Sequence, residues 1–584
     1  MAAEDLPSEF DVVILGTGLT ESVVAAACSR VGQRVLHLDT RSYYAAKWAS
    51  FTFNTLLTWI ERHQEQSQGD EVQDQDWSSL LEEGEEPICV SKTDSASITN
   101  LQVFCYTSED HEVDDREKNI EEGSCAEAEP KETEQQTEEV EAGHTEKESG
   151  LPRPQDAASQ SEPNKKITLD CLVKEGRRFN IDLVSKLMYA RGSLVDLLIK
   201  SNVSRYAEFK NITRILTYRH GNVEQVPCSR ADVFASRQLS VVEKRKLMRF
   251  LTSCMEDAEE HEATSARTYL EFLHDQQLSD NLRHFLLHSI AMVTEDTPTR
   301  VGLASTRHFL RCLGRYGNTP FLFPVYGLGE IPQCFCRMCA VFGGVYCLRH
   351  PVSCLLLDKT TNRCKAVIDS RGQRITGSHF VLEDSYLSPD FREMATPARL
   401  ISRAVLITDG SILPGDSEQQ QVSLVTVPPM EAGHPSVRMV ELCPSTMTCM
   451  PGTYLVHLTC QSLGSAYEDL SPVVNRMFRT PESHDQAERP SVLWCLYFNM
   501  EDGSSVELQG RQVPSNVYLC SGPDGALGHE HAIGQAEFIF HKIVPEEDFC
   551  PPAPNPEDII YDGDNTNPDQ EGEGGEEVQN LHEE

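Results

Sequence analysis

The period of the hydrophobic pattern changes along this chain. Near its start, Val12-Val-Ile-Leu15 is an unbroken apolar run, entered from Asp11 and closed by Gly16-Thr-Gly18. A short apolar run bounded by glycine reads as a buried strand, and Leu19-Thr-Glu21 then opens a helix. Arg34-Val-Leu-His-Leu-Asp39 repeats the strand signal, so residues 10–60 predict a β-α-β unit. Asp182–Leu198 predicts an amphipathic helix. Between 229 and 315 helical periods dominate, with Ser229 as N-cap. Leu282, Phe285, Leu286, Ile290 and Val293, with the small Ser289, fall on one face, and Thr299–Leu313 predicts a further helix. Pro332 sits in the first turn of a helix that stops before Gly343-Gly344. From about 345 to 540 the pattern becomes strand-like, at Val352–Leu357, Ala404–Ile407, Tyr454–Thr459 and Val492–Phe498.

The order sheet, helices, sheet predicts a discontinuous α/β (α+β) domain of Rossmann type, into which an all-helical domain of four or five helices is inserted. The expected boundaries are 1–61 for the first part of the sheet domain, 62–164 for an insertion, 165–227 for its continuation, 228–316 for the helical domain, 317–545 for the rest of the sheet domain, and 546–584 for a tail. The insertion is poor in aromatics and rich in Gln, Glu, Ser and Asp. Its one candidate strand lies near Ile98–Tyr106.

Charge sharpens this division. The formal net charge is −40, which argues against nucleic acid or an anionic membrane surface as a direct partner. Residues 109–150 hold 17 acids against Arg116, Lys118, Lys131 and Lys147, and residues 546–584 hold 14 acids and no Lys or Arg. Both stretches read as solvated and disordered. The 20 cysteines among 584 residues are too sparse for a disulfide scaffold. No uncharged apolar run reaches 18 residues, and MAAEDLPSEF lacks the basic and apolar regions of a leader. A reduced, cytosolic protein is expected.

The first turn carries the most informative chemistry. In a G-x-G-x-x-G turn the free N–H groups of the helix N-terminus hold a pyrophosphate, and the third glycine lets helix and strand pack closely. Here Gly16 and Gly18 are followed by Glu21 in the third place. Its carboxylate would lie near the phosphates, and like charges a few ångströms apart in a partly dry site cost on the order of 4 kcal/mol. Asp39 falls roughly where a ribose-binding acid would stand. The fold signal survives while the cofactor signal is damaged, which points to a reused scaffold.

Three segments together resemble one family. They are Gly16-Thr-Gly-Leu-Thr-Glu21 through Tyr43-Tyr44; Phe179-Asn-Ile-Asp-Leu through Arg205-Tyr-Ala-Glu-Phe-Lys210; and Arg315-Tyr-Gly-Asn-Thr-Pro through Gly327-Leu-Gly-Glu330-Ile-Pro-Gln333-Cys-Phe-Cys-Arg337 to Gly343-Gly344. The chain resembles the Rab GDP-dissociation inhibitor and Rab escort superfamily. The escort branch fits better, on the long acidic insertion, Trp48-Ala-Ser-Phe51 after the double tyrosine, and the ending Glu546-Glu-Asp-Phe-Cys-Pro-Pro. The resemblance implies an FAD-binding-like fold used without flavin or other cofactor, and no catalytic or metal site.

It further implies a platform for GDP-bound Rab GTPases at Tyr44, Glu330, Gln333 and Arg337. If a helix begins near Pro332, Gln333 and Arg337 share a face, with Glu330 in the loop before it. Arg and Tyr suit an interface centre. The competing reading is that Glu330 and Arg337 pair with each other or cap the helix. The resemblance also implies that Phe272 and Arg283 contact the Rab geranylgeranyltransferase α/β heterodimer, although Phe272 could equally be core. The helical domain would shelter the geranylgeranyl lipid of the product, and contact with membranes would be transient. Two departures stand out. Ala45 and Ala46 replace the family's usual glycines, which strains the turn if those glycines need positive φ. Val345 and Cys347 replace other residues at the platform edge of inhibitor-type members.

Alternative functions are a recycling GDP-dissociation inhibitor, or a flavin or nicotinamide oxidoreductase supported by Gly16, Gly18 and Asp39 and opposed by Glu21. Weaker constellations read as structural. Cys334, Cys336 and Cys339 lack a nearby fourth zinc ligand and are spread over different helix faces, so they read as free buried thiols. His284 and His288, four apart on a helix, read as ordinary surface histidines, and His529 and His531 have no spacing that compels a metal.

Overall fold

The computed structural model describes residues 6–66, 78–90, 97–107, 167–256, 267–386, 399–415, 421–483, 488–505 and 513–552. The acidic stretch 109–150 and the tail beyond Pro552 lie outside the described residues.

The apolar run near the start forms the strand Glu9–Leu15, and it lies at the centre of the first sheet. Val35–Leu38 runs parallel to it, with Val12 opposite Val35 and Leu15 opposite Leu38. Val345–Cys347 adds a parallel edge beyond that. On the other side lies Arg374–Glu383, also parallel. This long strand forks. Its early residues pair with the antiparallel meander Arg363–Asp369 and Val352–Asp358, and its last four with the parallel strand Val517–Cys520. A parallel core with an antiparallel extension is the expected Rossmann-type, FAD-binding-like plan.

The first helix, Leu19–Arg30, is buried from Leu19 through Ser29. It is sandwiched between the sheet, the helix Glu330–Val341 and the C-terminal helix Glu530–Ile543. A helix enclosed all round has no need of an amphipathic stripe, which is why its small residues Ala25, Ala26 and Ala27 fit there.

The second sheet has eight strands, in the order Asn222–Gln225, Arg214–Arg219, Ser423–Val427, Val437–Leu442, Tyr454–Gln461, Leu400–Thr408, Val492–Glu501 and Ile98–Cys105. The helix Ala466–Met477 covers one face through Ala466, Leu470, Val474 and Met477.

The helical block holds Arg230–Ala235, Val241–Glu256, Tyr269–Asp275, a helix from Asp280 to Ile290 and Thr299–Cys312. Ser229 is the N-cap expected, closing a capping box with Asp232. The predicted face at Leu282, Phe285, Leu286, Ser289 and Ile290 is buried. Over Phe285–Ile290 the helix widens to a π-turn. Its polar members dock the block on the second sheet: Ser289 Oγ lies 2.7 Å from Thr426 Oγ1, and His284 Nε2 lies 2.9 Å from Thr217 Oγ1.

Three expectations are corrected. Asp182–Leu198 is not one helix: Ile181–Asp182 and Met188–Tyr189 are extended, and the helix spans Ser193–Lys200 with Gly192 as N-cap. The buried Asp182 carboxylate is used elsewhere, which holds this stretch extended. Residues 62–164 are not wholly an insertion. Besides the expected strand, Glu85–Cys89 forms the outer edge of the first sheet, antiparallel to Val352–Asp358. The tail does not begin at 546, because Phe549 and Cys550 are buried against the body.

Candidate functional site

The loop after Val35–Leu38 carries Tyr44, and a buried polar network holds it. Thr17 Oγ1 donates to Asp39 Oδ2 at 2.6 Å and accepts from the Ala45 N–H at 3.0 Å. The Tyr44 ring stacks on Tyr346, centroids 5.4 Å apart and planes 17° from parallel. Tyr346 lies on the edge strand, opposite His37, and its hydroxyl is hydrogen-bonded to Cys336 of the neighbouring helix. Ala45 and Ala46 do adopt left-handed backbone, with φ of +74° and +48°. The strain expected of alanine in this turn is therefore present.

The helix expected from Pro332 spans Glu330–Val341, with Pro332 in its first turn, where a missing N–H costs nothing. Glu330 belongs to the helix rather than to the loop before it. Gly329 and Leu328 ahead of it are clamped: the Leu328 N–H donates to Asp182 Oδ1 at 2.9 Å, and the Gly329 N–H to Ser50 Oγ at 2.8 Å. Ser50 Oγ in turn donates to Asp182. Burial pushes the Asp182 carboxyl up to about 7.

The helix has two distinct faces. Cys334, Cys336 and Cys339 are buried. Cys336 Sγ lies 3.3 Å from Ser22 Oγ, and Cys339 Sγ 3.1 Å from Ser29 Oγ, both on the first helix. Two of the three thiols therefore share a face instead of being spread. Burial pushes the three thiols up to about 11, 12 and 11.

The outer face exposes Gln333, Arg337 and Val341, at four-residue spacing. Glu330 is half-buried, which raises its carboxyl pKa. Seven residues separate Glu330 and Arg337, about 10 Å along the axis. Among the described ion pairs they are not joined; Arg337 lies instead over the Tyr206 ring, 4.6 Å from its centroid. Gln333 Nε2 donates to the Gly329 carbonyl at 3.3 Å. Gln333 and Arg337 thus share the outer face of this helix and Glu330 lies at its start, while Tyr44 is linked to the helix through Tyr346 and the buried Cys336. Asp182, Tyr206 and Tyr346 went unnoticed as contributors, because their roles arise from contacts far apart in sequence.

The former dinucleotide turn is packed with the chain's own acids. Glu21 is 2% exposed. Burial first, then the nearby Glu383 and Asp384, push its carboxyl up to about 8. Gly16, at φ +107°, has no room for a side chain: a Cβ there would come 2.8 Å from Glu383 Cβ. Asp39 accepts from the Arg41 backbone N–H at 2.8 Å and from its side chain at 3.3 Å. Lys47 Nζ lies 3.1 Å from Asp384 Oδ1. Asp39, expected to hold a ribose, is committed to Thr17 and Arg41, and the buried Glu21 side chain lies against Gly18 in the turn expected to hold a pyrophosphate, so these residues do not fit a dinucleotide.

Phe272 is 8% exposed and packs between Phe250 and Tyr269, so the core reading describes its position. Arg283 is 19% exposed at its side chain; it donates to the Leu278 carbonyl at 2.9 Å and pairs with Asp280. His284 and His288 are not surface residues: both are half-buried, their rings 5.0 Å apart, and burial pulls each down to about 4. His529 is buried and stacks on Trp48, and His531 meets Ser521 Oγ at 3.0 Å. Among the described residues no group of three or more His, Cys, Asp or Glu is placed to hold a metal ion, and no helix is long and apolar enough to cross a membrane.

Comparison with known proteins gives the family. A family model described as GDP dissociation inhibitor matches residues 6–82 and 163–461, and one described as RAE1/2 domain I, C-terminal region, matches 401–525. The rat protein named Rab proteins geranylgeranyltransferase component A 1 is 51% identical, over 97% of this chain and 95% of its own. The Drosophila melanogaster protein named Rab proteins geranylgeranyltransferase component A is 32% identical, over 96% and 93%. The crystal structure of a Rab GDI from Plasmodium falciparum shares the fold, with a TM-score of 0.58 at 16% identity, covering 93% of this chain and 99% of that one. The chain belongs to the GDP dissociation inhibitor family, and within it to the group of Rab geranylgeranyltransferase A components.

Proposed function

We propose that this chain is a Rab escort protein, the substrate-binding and non-catalytic component of Rab geranylgeranyltransferase. It holds a newly made GDP-bound Rab, presents the C-terminal cysteines of that GTPase to the transferase α/β heterodimer, and carries the lipidated product to a membrane. The observation that carries this reading is the exposed stripe of Gln333 and Arg337 on a helix whose start is clamped and whose inner face is locked to the first helix, with Tyr44 stacked on Tyr346 of the strand packed against that helix. A preorganised polar patch of amide, guanidinium and phenol loses little side-chain freedom on binding a protein partner. The rat, human and mouse relatives are named Rab geranylgeranyltransferase component A 1 or A 2, and those names support the same reading.

The transferase supplies the chemistry. The escort raises the effective concentration of a flexible GTPase tail at the active site by holding its folded part nearby. A twenty-carbon chain exposed to water is costly, at ~0.8 kcal/mol per CH₂, so the product needs shelter. In this reading the helical block opens a groove for it. Arg283 and Phe272 form the transferase contact in this reading, and the protein works in the cytosol.

The test is in vitro geranylgeranylation of a GDP-loaded Rab by the heterodimer, with and without this chain. Incorporation that requires the chain supports the proposal. Equal incorporation without it, or no binding of any GDP-loaded Rab, overturns it.

A further inference from the structure

Tyr206 belongs to the motif Arg205-Tyr-Ala-Glu-Phe-Lys210, yet no platform assignment uses it. It ends the 3-10 turn Val203–Tyr206, which packs against the helix Glu330–Val341. The ring is 38% exposed, and the Arg337 guanidinium carbon lies 4.6 Å from its centroid. On an open helix face an arginine samples many rotamers, and ordering it on binding costs up to ~2 kcal/mol. Stacking on an aromatic face removes much of that freedom and leaves the edge N–H donors of the guanidinium free, because the ring occupies only its flat side. A planar fork so presented suits a carboxylate on the partner.

The ring itself is held from outside the helix. Its turn follows the helix Ser193–Lys200 directly, entered through Asn202 at φ +65°. Lys200 Nζ at the end of that helix donates to the Phe549 carbonyl at 2.8 Å, tying the segment to the last described part of the chain. The support under Arg337 is therefore built from residues more than a hundred positions away.

We infer that Tyr206 is the positioning residue for Arg337. It holds the guanidinium flat and turned outward toward a carboxylate of the bound GTPase. This rests on the platform reading of Arg337, and the experiment separates the two. The affinity of a GDP-loaded Rab is measured by titration calorimetry for the wild type, Tyr206→Phe, Tyr206→Leu, Arg337→Ala and the double variant Tyr206→Leu/Arg337→Ala. Tyr206→Phe keeps the ring and is expected to bind within about twofold of wild type. Tyr206→Leu is expected to bind about 5- to 10-fold more weakly with an unchanged unfolding midpoint. The double variant is expected to match Arg337→Ala, because the tyrosine acts through the arginine. Wild-type affinity in Tyr206→Leu, or the same loss from it in the Arg337→Ala background, overturns the inference while leaving the platform standing. An unchanged affinity in Arg337→Ala overturns both.

Discussion

Arg41 and Glu383 face each other in a two-pronged ion pair, with Nη1 2.9 Å from Oε2 and Nη2 3.0 Å from Oε1. Only 8% and 4% of the two side chains are exposed. The same Nη1 reaches Asp39 Oδ1 at 3.3 Å. Arg41 thereby joins the loop that carries Tyr44 to the central strand Arg374–Glu383. Glu383, which crowds Glu21 in the old cofactor turn, thus also holds the tyrosine loop.

Removing one partner of a buried pair leaves an uncompensated charge. Arg41→Leu is expected to cost about 3–5 kcal/mol, because Glu383 and Asp39 lose a shared cation at once. Glu383→Gln is expected to cost less, since Arg41 keeps Asp39. Urea unfolding at pH 7 measures both, and equal midpoints for Arg41→Leu and the wild type would contradict the pairing.

Glu21 sets a pH dependence of definite sign. Its folded-state carboxyl is raised from 4.5 to about 8. Between these values the unfolded chain releases the proton while the folded one keeps it, so stability falls as pH rises through this window. The slope from this group approaches 1.4 kcal/mol per pH unit at most. Glu21→Gln removes the ionisation, so its advantage over the wild type is expected to grow from pH 5 to pH 8. A stability difference that stays flat across that range would refute it.

The turn beside Tyr44 stores strain. Left-handed backbone costs an L-residue roughly 1–2 kcal/mol, and glycine returns about 0.4–1 kcal/mol of that through the freedom it gains when unfolded. Ala45→Gly is therefore expected to stabilise the fold by up to about 1 kcal/mol, whereas Ala45→Val, β-branched at a fully buried site, is expected to destabilise it. Thermal unfolding of the two variants is expected to give opposite signs, because Ala45 has a φ of +74°.

The two binding assignments are separable. Arg337→Ala is expected to weaken GDP-loaded Rab by about 1–3 kcal/mol and to leave transferase binding intact. Arg283→Ala is expected to do the reverse, since Arg283 sits on the helical block, which docks on the second sheet. Parallel pull-downs of both partners with each variant test this. Arg283→Ala gives a cleaner reading than Phe272→Ala, which would also empty core space between Phe250 and Tyr269.

The helical block has a point of no tolerance at Gly302. A Cβ there would run into the Tyr269 ring at Cγ, and the Tyr269 hydroxyl is fixed 2.8 Å from Thr306 Oγ1. Gly302→Ala is expected to destabilise the block by roughly 1–3 kcal/mol through overpacking. Hydrogen exchange should then rise across Tyr269–Asp275 and Thr299–Cys312 while the first sheet stays protected.

Much of the site was legible in the chain itself. Val12–Leu15 and Gly16-Thr-Gly18 mark a strand and a turn through local preferences, and an acid, Glu21, in the place of the third glycine declares the cofactor problem from the sequence alone. Gln333 and Arg337 share a face because a helix repeats every 3.6 residues. Ser229 caps its helix with no help from elsewhere. Each of these follows from interactions within a few residues, which any sequence exposes.

Other features were settled only by folding. Asp182–Leu198 has helical periodicity, yet Asp182 is drawn into a clamp with Ser50 and Leu328, and contacts from distant segments outweigh a local preference of a few tenths of a kcal/mol per residue. Glu85–Cys89 lies in a polar stretch and becomes a strand because the edge of a sheet offers it hydrogen bonds. Phe272 is inside because Phe250 and Tyr269 close around it, and Arg337 meets the ring of Tyr206, remote along the chain. Periodicity and charge are properties of neighbours in the chain. Burial, stacking and shared ion pairs belong to neighbours in space, and those exist only once the sheets and the helical block have assembled.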